Sequence, residues 1–65
     1  MSNFKRSVLL KAPTYISLGA KDLSFLFDVV MDEAEGFDGE AVSVDYMIKR
    51  MKSRYDAVGL IPSRN

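Results

Sequence analysis

The chain has 65 residues, enough for one small domain, with 48% apolar and 28% charged residues. This is the composition of a folded domain and not of a disordered chain. It contains no cysteine and no histidine, which excludes disulfide bridges, zinc sites built on those residues and the usual nucleophile–base pairs of hydrolytic enzymes. So small a core gives little net stability, and small domains usually gain more from disulfides, a metal or self-association. Of these three, only self-association remains open here.

No segment of the sequence is apolar for long. The longest uninterrupted apolar runs have three residues, as at 8–10, 25–27 and 29–31, whereas a bilayer-spanning helix needs about 20. The first residues also lack the apolar core of a secretory signal. We therefore expect a cytoplasmic protein with no membrane association.

The charges are segregated although they sum to zero. Residues 1–21 contain four basic and no acidic residues, 22–45 contain eight acidic and no basic residues, and 46–65 contain five basic residues and one acid. A binding partner responds to the local electrostatic field of the surface that it contacts and not to the net charge of the protein. Two interpretations stay open: the basic segments fold against the acidic one, or one of the charged faces binds a partner.

The N-terminal part is predicted to be extended. Phe4, Val8 and Leu10 share one parity, which is a weak strand pattern ending at Ala12 and Pro13. Residues 15–18 are a second short β-prone run, and the two runs together could form a hairpin. The predicted fold is therefore a small α+β or mostly α domain over 1–65, with a short extended segment or hairpin followed by two helices.

The first predicted helix covers about 21–35 and stops at Gly36. One face carries an apolar stripe with a 3.6-residue period, made of Leu23, Leu26, Phe27, Val30, Met31 and Ala34. Phe25 and Val29 lie about 100° away from that stripe. Because a helix that is apolar on two sides needs cover on two sides, we predict self-association, as a homo-oligomer, through Phe25 and Val29.

The second predicted helix covers about 40–58. Its apolar positions follow spacings of three and four residues, and comprise Val44, Ile48, Met51, Tyr55 and Val58 with Met47 alongside. Two starts compete, since Ser43 and Asp38 are both suitable N-cap residues. Gly59 fits a helix stop, and residues 61–65 are expected to fray.

The sequence offers no convincing reaction chemistry. Asp28, Asp32 and Glu35 share a helical face, but such carboxylates usually need ligands from a second element to hold a cation. The acidic loop 32–45 lacks the spacing of a calcium-binding loop, and the glycines form no phosphate-binding motif. We predict no catalytic residues, no metal site and no cofactor, and hence no enzyme.

The outward face of the second helix is the predicted binding surface. Lys49, Arg50, Lys52 and Arg54 fall opposite the apolar stripe, and Tyr46 projects among them. An aromatic residue among basic ones can anchor a protein interface or stack on a nucleobase. The predicted partner-binding residues are Tyr46, Lys49, Arg50 and Ser53.

Two functions follow from these patterns. The first is a non-enzymatic protein-binding module, a small regulator or inhibitor that docks on a larger protein. The alternative comes from the order of a strand at 15–18, a helix, Gly36 and a second helix, which resembles ribbon–helix–helix repressors. That resemblance implies a dimeric DNA-binding regulator with a paired strand in the major groove, although the connection from Gly36 to Val42 is longer than that fold uses.

Overall fold

A computed structural model describes residues 3–33 and 43–59, and this part of the chain is mostly helical. It contains helices α1 (Asn3–Lys11), α2 (Ala20–Glu33) and α3 (Val44–Val58), with a single 3₁₀ turn at Ala12–Thr14 after α1. Each helix packs against the other two. The described ranges contain no strand.

The predicted N-terminal strand or hairpin is wrong. Residues 4–10 lie in α1, and residues 15–18 form a turn, a bend and irregular backbone. Phe4, Val8 and Ala12 are four residues apart, so a helix and its following turn place all three on the same inward face. Leu10, which the strand pattern grouped with Phe4 and Val8, is 76% exposed on the opposite side.

The core lies where the three helices meet. Ten apolar residues are buried: Val8, Ala12, Ile16, Leu23, Leu26, Phe27, Val30, Met47, Ile48 and Met51. The rings of Phe4 and Phe27 lie 6.0 Å apart between their centroids, and the Lys5 ammonium lies 5.3 Å above the Phe27 ring. The same ammonium contacts Asp28 at 2.9 Å, so α1 is fixed to α2 by apolar and charged contacts together.

The two predicted helices are present, with shifted ends. α2 runs from Ala20 to Glu33 and buries Leu23, Leu26, Phe27 and Val30 of the predicted stripe; residues 34 and 35 lie outside the described ranges.

α3 begins after Ser43, whose extended backbone (φ −85°, ψ 162°) and side-chain hydroxyl make it the N-cap. The hydroxyl accepts a hydrogen bond from the Tyr46 amide at 3.0 Å. The competing cap Asp38 and the tail 61–65 lie outside the described ranges.

Gly59 ends α3. Its φ is +79°, a value that residues with a Cβ rarely adopt, and its amide donates to the Tyr55 carbonyl at 2.8 Å. The carbonyl of Gly59 in turn accepts a hydrogen bond from Arg54 at 3.1 Å. The predicted stop is therefore confirmed at this residue.

Candidate functional site

The outward face of α3 carries all four residues predicted to bind a partner. Tyr46, Lys49 and Ser53 are exposed, and Arg50 is half-buried. Met47, Ile48 and Met51 are buried on the other side of the helix, because residues three and four apart share a face and the apolar ones turn toward α1 and α2. We call the surface formed by Asp45, Tyr46, Lys49, Arg50, Lys52, Ser53 and Asp56 the α3 face.

Tyr46 and Arg50 form one contact on this face. Arg50 Nη1 donates to the Tyr46 hydroxyl at 3.2 Å, and the guanidinium carbon lies 6.0 Å from the centre of the Tyr46 ring. The pair is four residues apart, so the helix places one side chain above the other. A hollow beside Arg50 is lined by Val30, Glu33, Arg50, Ser53, Arg54 and Ala57, which places Arg50 on the side of α3 that is next to α2.

Lys49 lies on the other side of the α3 face, near Tyr15, which is not among the predicted partner-binding residues. Tyr15, at the end of the 3₁₀ turn, is 52% exposed and joins α3 in lining a pocket of about 290 Å³. We call it the Tyr15 pocket; its lining residues are Tyr15, Asp45, Ile48, Lys49 and Lys52. Tyr15 had been assigned to a strand, and its local pattern gave no sign of proximity to α3.

A second, more open hollow continues along α3. It has a volume of about 450 Å³ and is lined by Lys49, Lys52, Ser53, Asp56 and Ala57. Ser53 thus lies between the Lys49 side and the Arg50 side of the α3 face. The four predicted residues share one helix face, but Tyr46 and Arg50 contact each other whereas Lys49 belongs to the Tyr15 pocket.

Ion pairs surround the Tyr15 pocket. Lys11, at the end of α1, donates to the Asp45 carboxylate at 2.7 Å. This hydrogen bond, with the negative charge of Asp45, raises the pKa of Lys11 above its ordinary value of 10.5, and the nearby Tyr15 adds a smaller contribution in the same direction. Lys52 contacts Asp56 at 3.2 Å. Within residues 3–33 and 43–59, no carboxylate lies within ion-pair distance of Lys49.

Basic and acidic segments of the sequence meet at three points of the fold. Lys5 of α1 contacts Asp28 of α2, Lys11 contacts Asp45, and Arg54 of α3 contacts Glu33 of α2. Arg54 uses Nε and Nη2 for the two Glu33 oxygens, each at 3.2 Å. The segregated charges therefore serve the fold in part, as the first of the two interpretations expects.

Phe25 and Val29, the residues predicted to mediate self-association, lie outside the core. Phe25 is 42% exposed and Val29 is half-buried. Helical spacing places four carboxylates around them, those of Asp22, Asp28, Asp32 and Glu33. We call these six residues the α2 face. Self-association through this face stays a prediction.

The described residues show no concentration of reactive groups. No set of three or more histidine, cysteine, aspartate and glutamate residues within them is placed to hold a metal ion, and Glu35 of the considered carboxylate set lies outside them. No polar or charged residue is buried in this part of the chain. The prediction that the protein is not an enzyme remains a prediction.

Comparison with known proteins gives no relative: no family model, no curated protein and no solved structure matches the chain. Within the described ranges, no helix has the length and apolarity that crossing a membrane requires. Any functional conclusion therefore depends on the α2 and α3 faces themselves.

Proposed function

We propose that this protein is a non-enzymatic protein-binding module that docks on a larger partner through the α3 face, acting as a small regulator or inhibitor. The observation that carries the proposal is the pair of exposed tyrosines, Tyr15 and Tyr46, on either side of Lys49. Tyrosine and arginine are enriched among residues that dominate binding energy, because a rigid aromatic body buries a large area while its polar groups form directed bonds.

The arrangement of the α3 face supports a protein partner. The Tyr46 hydroxyl accepts a hydrogen bond from Arg50, and the amide of Tyr15 donates to the Ala12 carbonyl at the end of the 3₁₀ turn. Binding costs entropy for each side chain that must be ordered. Two tyrosines held in this way offer aromatic area to a partner at a small entropic cost of ordering. Lys49, between the tyrosines, and Ser53, further along α3, add polar contacts.

The charge pattern supports a protein over a nucleic acid. DNA binding draws its affinity from basic groups that replace counterions on phosphates. Here Asp45 and Asp56 are exposed beside the basic residues of the α3 face. A continuous row of phosphates would meet these acids as well as the bases, whereas a protein can place single carboxylates next to the bases alone. The strand on which the resemblance to ribbon–helix–helix repressors depends is absent from the described residues.

A charge-reversal experiment tests the proposal. Tagged protein is cross-linked in lysate, and the captured partner is identified and then titrated as purified protein. We expect the Lys49→Glu/Arg50→Glu variant to bind that partner at least about tenfold more weakly, because two attractive contacts become repulsive. The melting temperature should remain close to that of the unchanged protein, since both side chains project from the core.

The matched control reverses two basic residues elsewhere, in the variant Arg6→Glu/Lys21→Glu, whose sites are exposed on α1 and α2. It has the same net charge as the test variant and should bind normally. Equal weakening in both variants would show a nonspecific charge effect and contradict the proposal. A labelled DNA duplex that binds the protein, and binds more weakly at about 200 mM than at about 50 mM salt, would favour the DNA-binding alternative.

A further inference from the structure

We propose that the Tyr15 pocket receives one large apolar side chain from an acidic segment of the partner protein. This inference rests on the proposed function and adds to it the chemistry of the ligand. The pocket has an apolar floor and wall and a basic rim, formed by residues from two elements that are far apart in sequence.

The size and lining of the pocket suit a single side chain. Ile48 is 4% exposed and belongs to the core cluster, so the pocket floor is part of the packed interior. The ring of Tyr15 forms a wall. A volume of about 290 Å³ lies at the lower end of the range for ligand sites, about 300 Å³ and above. An aromatic or large aliphatic side chain can enter this space and cover the exposed side of Tyr15.

The charges at the rim favour acidic neighbours for that side chain. Asp45 is the carboxylate within the lining, and Lys11 holds it at 2.7 Å. Lys49 has no carboxylate within ion-pair distance in the described ranges. A carboxylate next to the inserted side chain would therefore meet an ammonium group that forms no ion pair within the described ranges, whereas a basic neighbour would meet repulsion from Lys49.

Lys52 can offer a second contact. Its ion pair with Asp56 spans 3.2 Å, and both side chains are more than half exposed. Exposed pairs four residues apart on a helix contribute little to stability. An incoming carboxylate can replace Asp56 at little cost, so the rim can bind two acidic groups, one on each side of the pocket.

The test is a titration of isotope-labelled protein, followed by nuclear magnetic resonance, with a short synthetic peptide that has one phenylalanine between aspartate and glutamate residues. We expect the resonances of Tyr15, Ile48, Lys49 and Lys52 to shift. Replacing the peptide's phenylalanine by serine should weaken binding about tenfold, the effect of losing one buried aromatic side chain. A peptide with lysine in place of each acid should cause no shift at these residues.

Two protein variants localise the effect. Tyr15→Ser removes the pocket wall and Lys49→Glu reverses the charge of the rim; each should weaken binding of the acidic peptide about tenfold or more. Lys21→Glu makes the same charge change on α2 and should leave binding unchanged. The melting temperatures of all three variants identify any loss that comes from unfolding.

Several results would overturn the inference. No shift at the pocket, equal binding of the serine peptide, or equal binding of the lysine peptide each contradicts it. Shifts that grow with protein concentration alone would mean that a second copy supplies the acidic segment. Shifts confined to Tyr46, Arg50 and Ser53, or a captured partner whose binding survives Tyr15→Ser but not Lys49→Glu/Arg50→Glu, would refute the pocket and leave the proposed function standing.

Discussion

α2 and α3 have similar inward faces and opposite outward ones. Each helix buries an apolar stripe in the same core, but the α2 face surrounds Phe25 and Val29 with carboxylates, whereas the α3 face places Lys49 and Arg50 around Tyr46. The inward faces are constrained by packing against each other, and the outward faces are not. The difference shows that a net charge of zero conceals two surfaces suited to different neighbours.

The largest expected effect distinguishes the inward from the outward side of α2. Leu26→Ala should lower the free energy of unfolding by about 2–5 kcal/mol, because Leu26 is fully buried and its removal leaves a cavity. The adjacent Phe25→Ala should cost less than about 1 kcal/mol, since Phe25 lies outside the core. Urea titrations compare the two.

Equal costs would contradict the comparison by showing that Phe25 is part of the packed interior. If Leu26→Ala leaves no folded protein, Val30→Ala removes fewer buried atoms on the same stripe and preserves the measurement. Phe25→Ala then remains its neighbour on the opposite side of the helix.

The second prediction concerns self-association through the α2 face. Pairing two copies there brings together the Asp22 and Asp32 carboxylates of both, which form no ion pair within the described ranges, so association should strengthen as salt screens the repulsion. We expect the mass measured by light scattering to rise with salt for the unchanged protein. Phe25→Ser/Val29→Ser should remain monomeric in both conditions.

Leu10→Ser is the control, because it also removes an exposed apolar side chain but from α1. It should behave as the unchanged protein. A mass unaffected by the double substitution would exclude this contact. Association that weakens with salt would instead indicate opposite charges meeting, as when the α3 face of one copy approaches the α2 face of another.

The smallest expected effect lies at the junction of α1 and α3. Asp45→Asn should lower the pKa of Lys11 toward 10.5, since it removes the negative charge and weakens the hydrogen bond that raise it. A raised pKa stabilises the fold fully below the unfolded value and loses that contribution as pH rises through the folded value. The stability difference between the two proteins should therefore be constant from neutral pH to about pH 10 and shrink above it.

The pKa is measured from the carbon resonance next to the Lys11 amine during a pH titration. Asp32→Asn removes an exposed carboxylate on α2 and should leave the pKa of Lys11 unchanged. A similar shift in both variants would mean that the overall field, and not the contact with Asp45, raises the pKa.

Helical spacing predicted α2, α3 and all seven of their buried residues, because long amphipathic segments carry several turns of the same pattern. Val58 of the predicted stripe is 60% exposed. The prediction of a strand at residues 4–10 is wrong because seven residues are too few to distinguish the two-residue period of a strand from the 3.6-residue period of a helix. Phe4 and Val8 share a face in a strand and in a helix. Leu10 shares that face only in a strand and therefore favoured the strand, but in the structure it is exposed. A single exposed leucine carries little information about folding.

The surface that we propose for binding could be predicted only in part from the sequence. Tyr46, Lys49, Arg50 and Ser53 lie on one helix, so their common face follows from their spacing alone. Tyr15 is about thirty residues away in sequence, and its position beside α3 depends on how the 3₁₀ turn packs. Such a contact is a property of the tertiary structure, and no local pattern contains it.

The carbonyl of Ala12 bears on the binding that we propose for the Tyr15 pocket. It accepts hydrogen bonds from the amides of Tyr15 and Ile16, both at 2.8 Å, and Ile16 is buried while Tyr15 points outward. The backbone that carries the pocket wall is thereby anchored to the core one residue later. The pocket is preorganised, so a ligand need not provide the free energy of ordering this backbone when it binds.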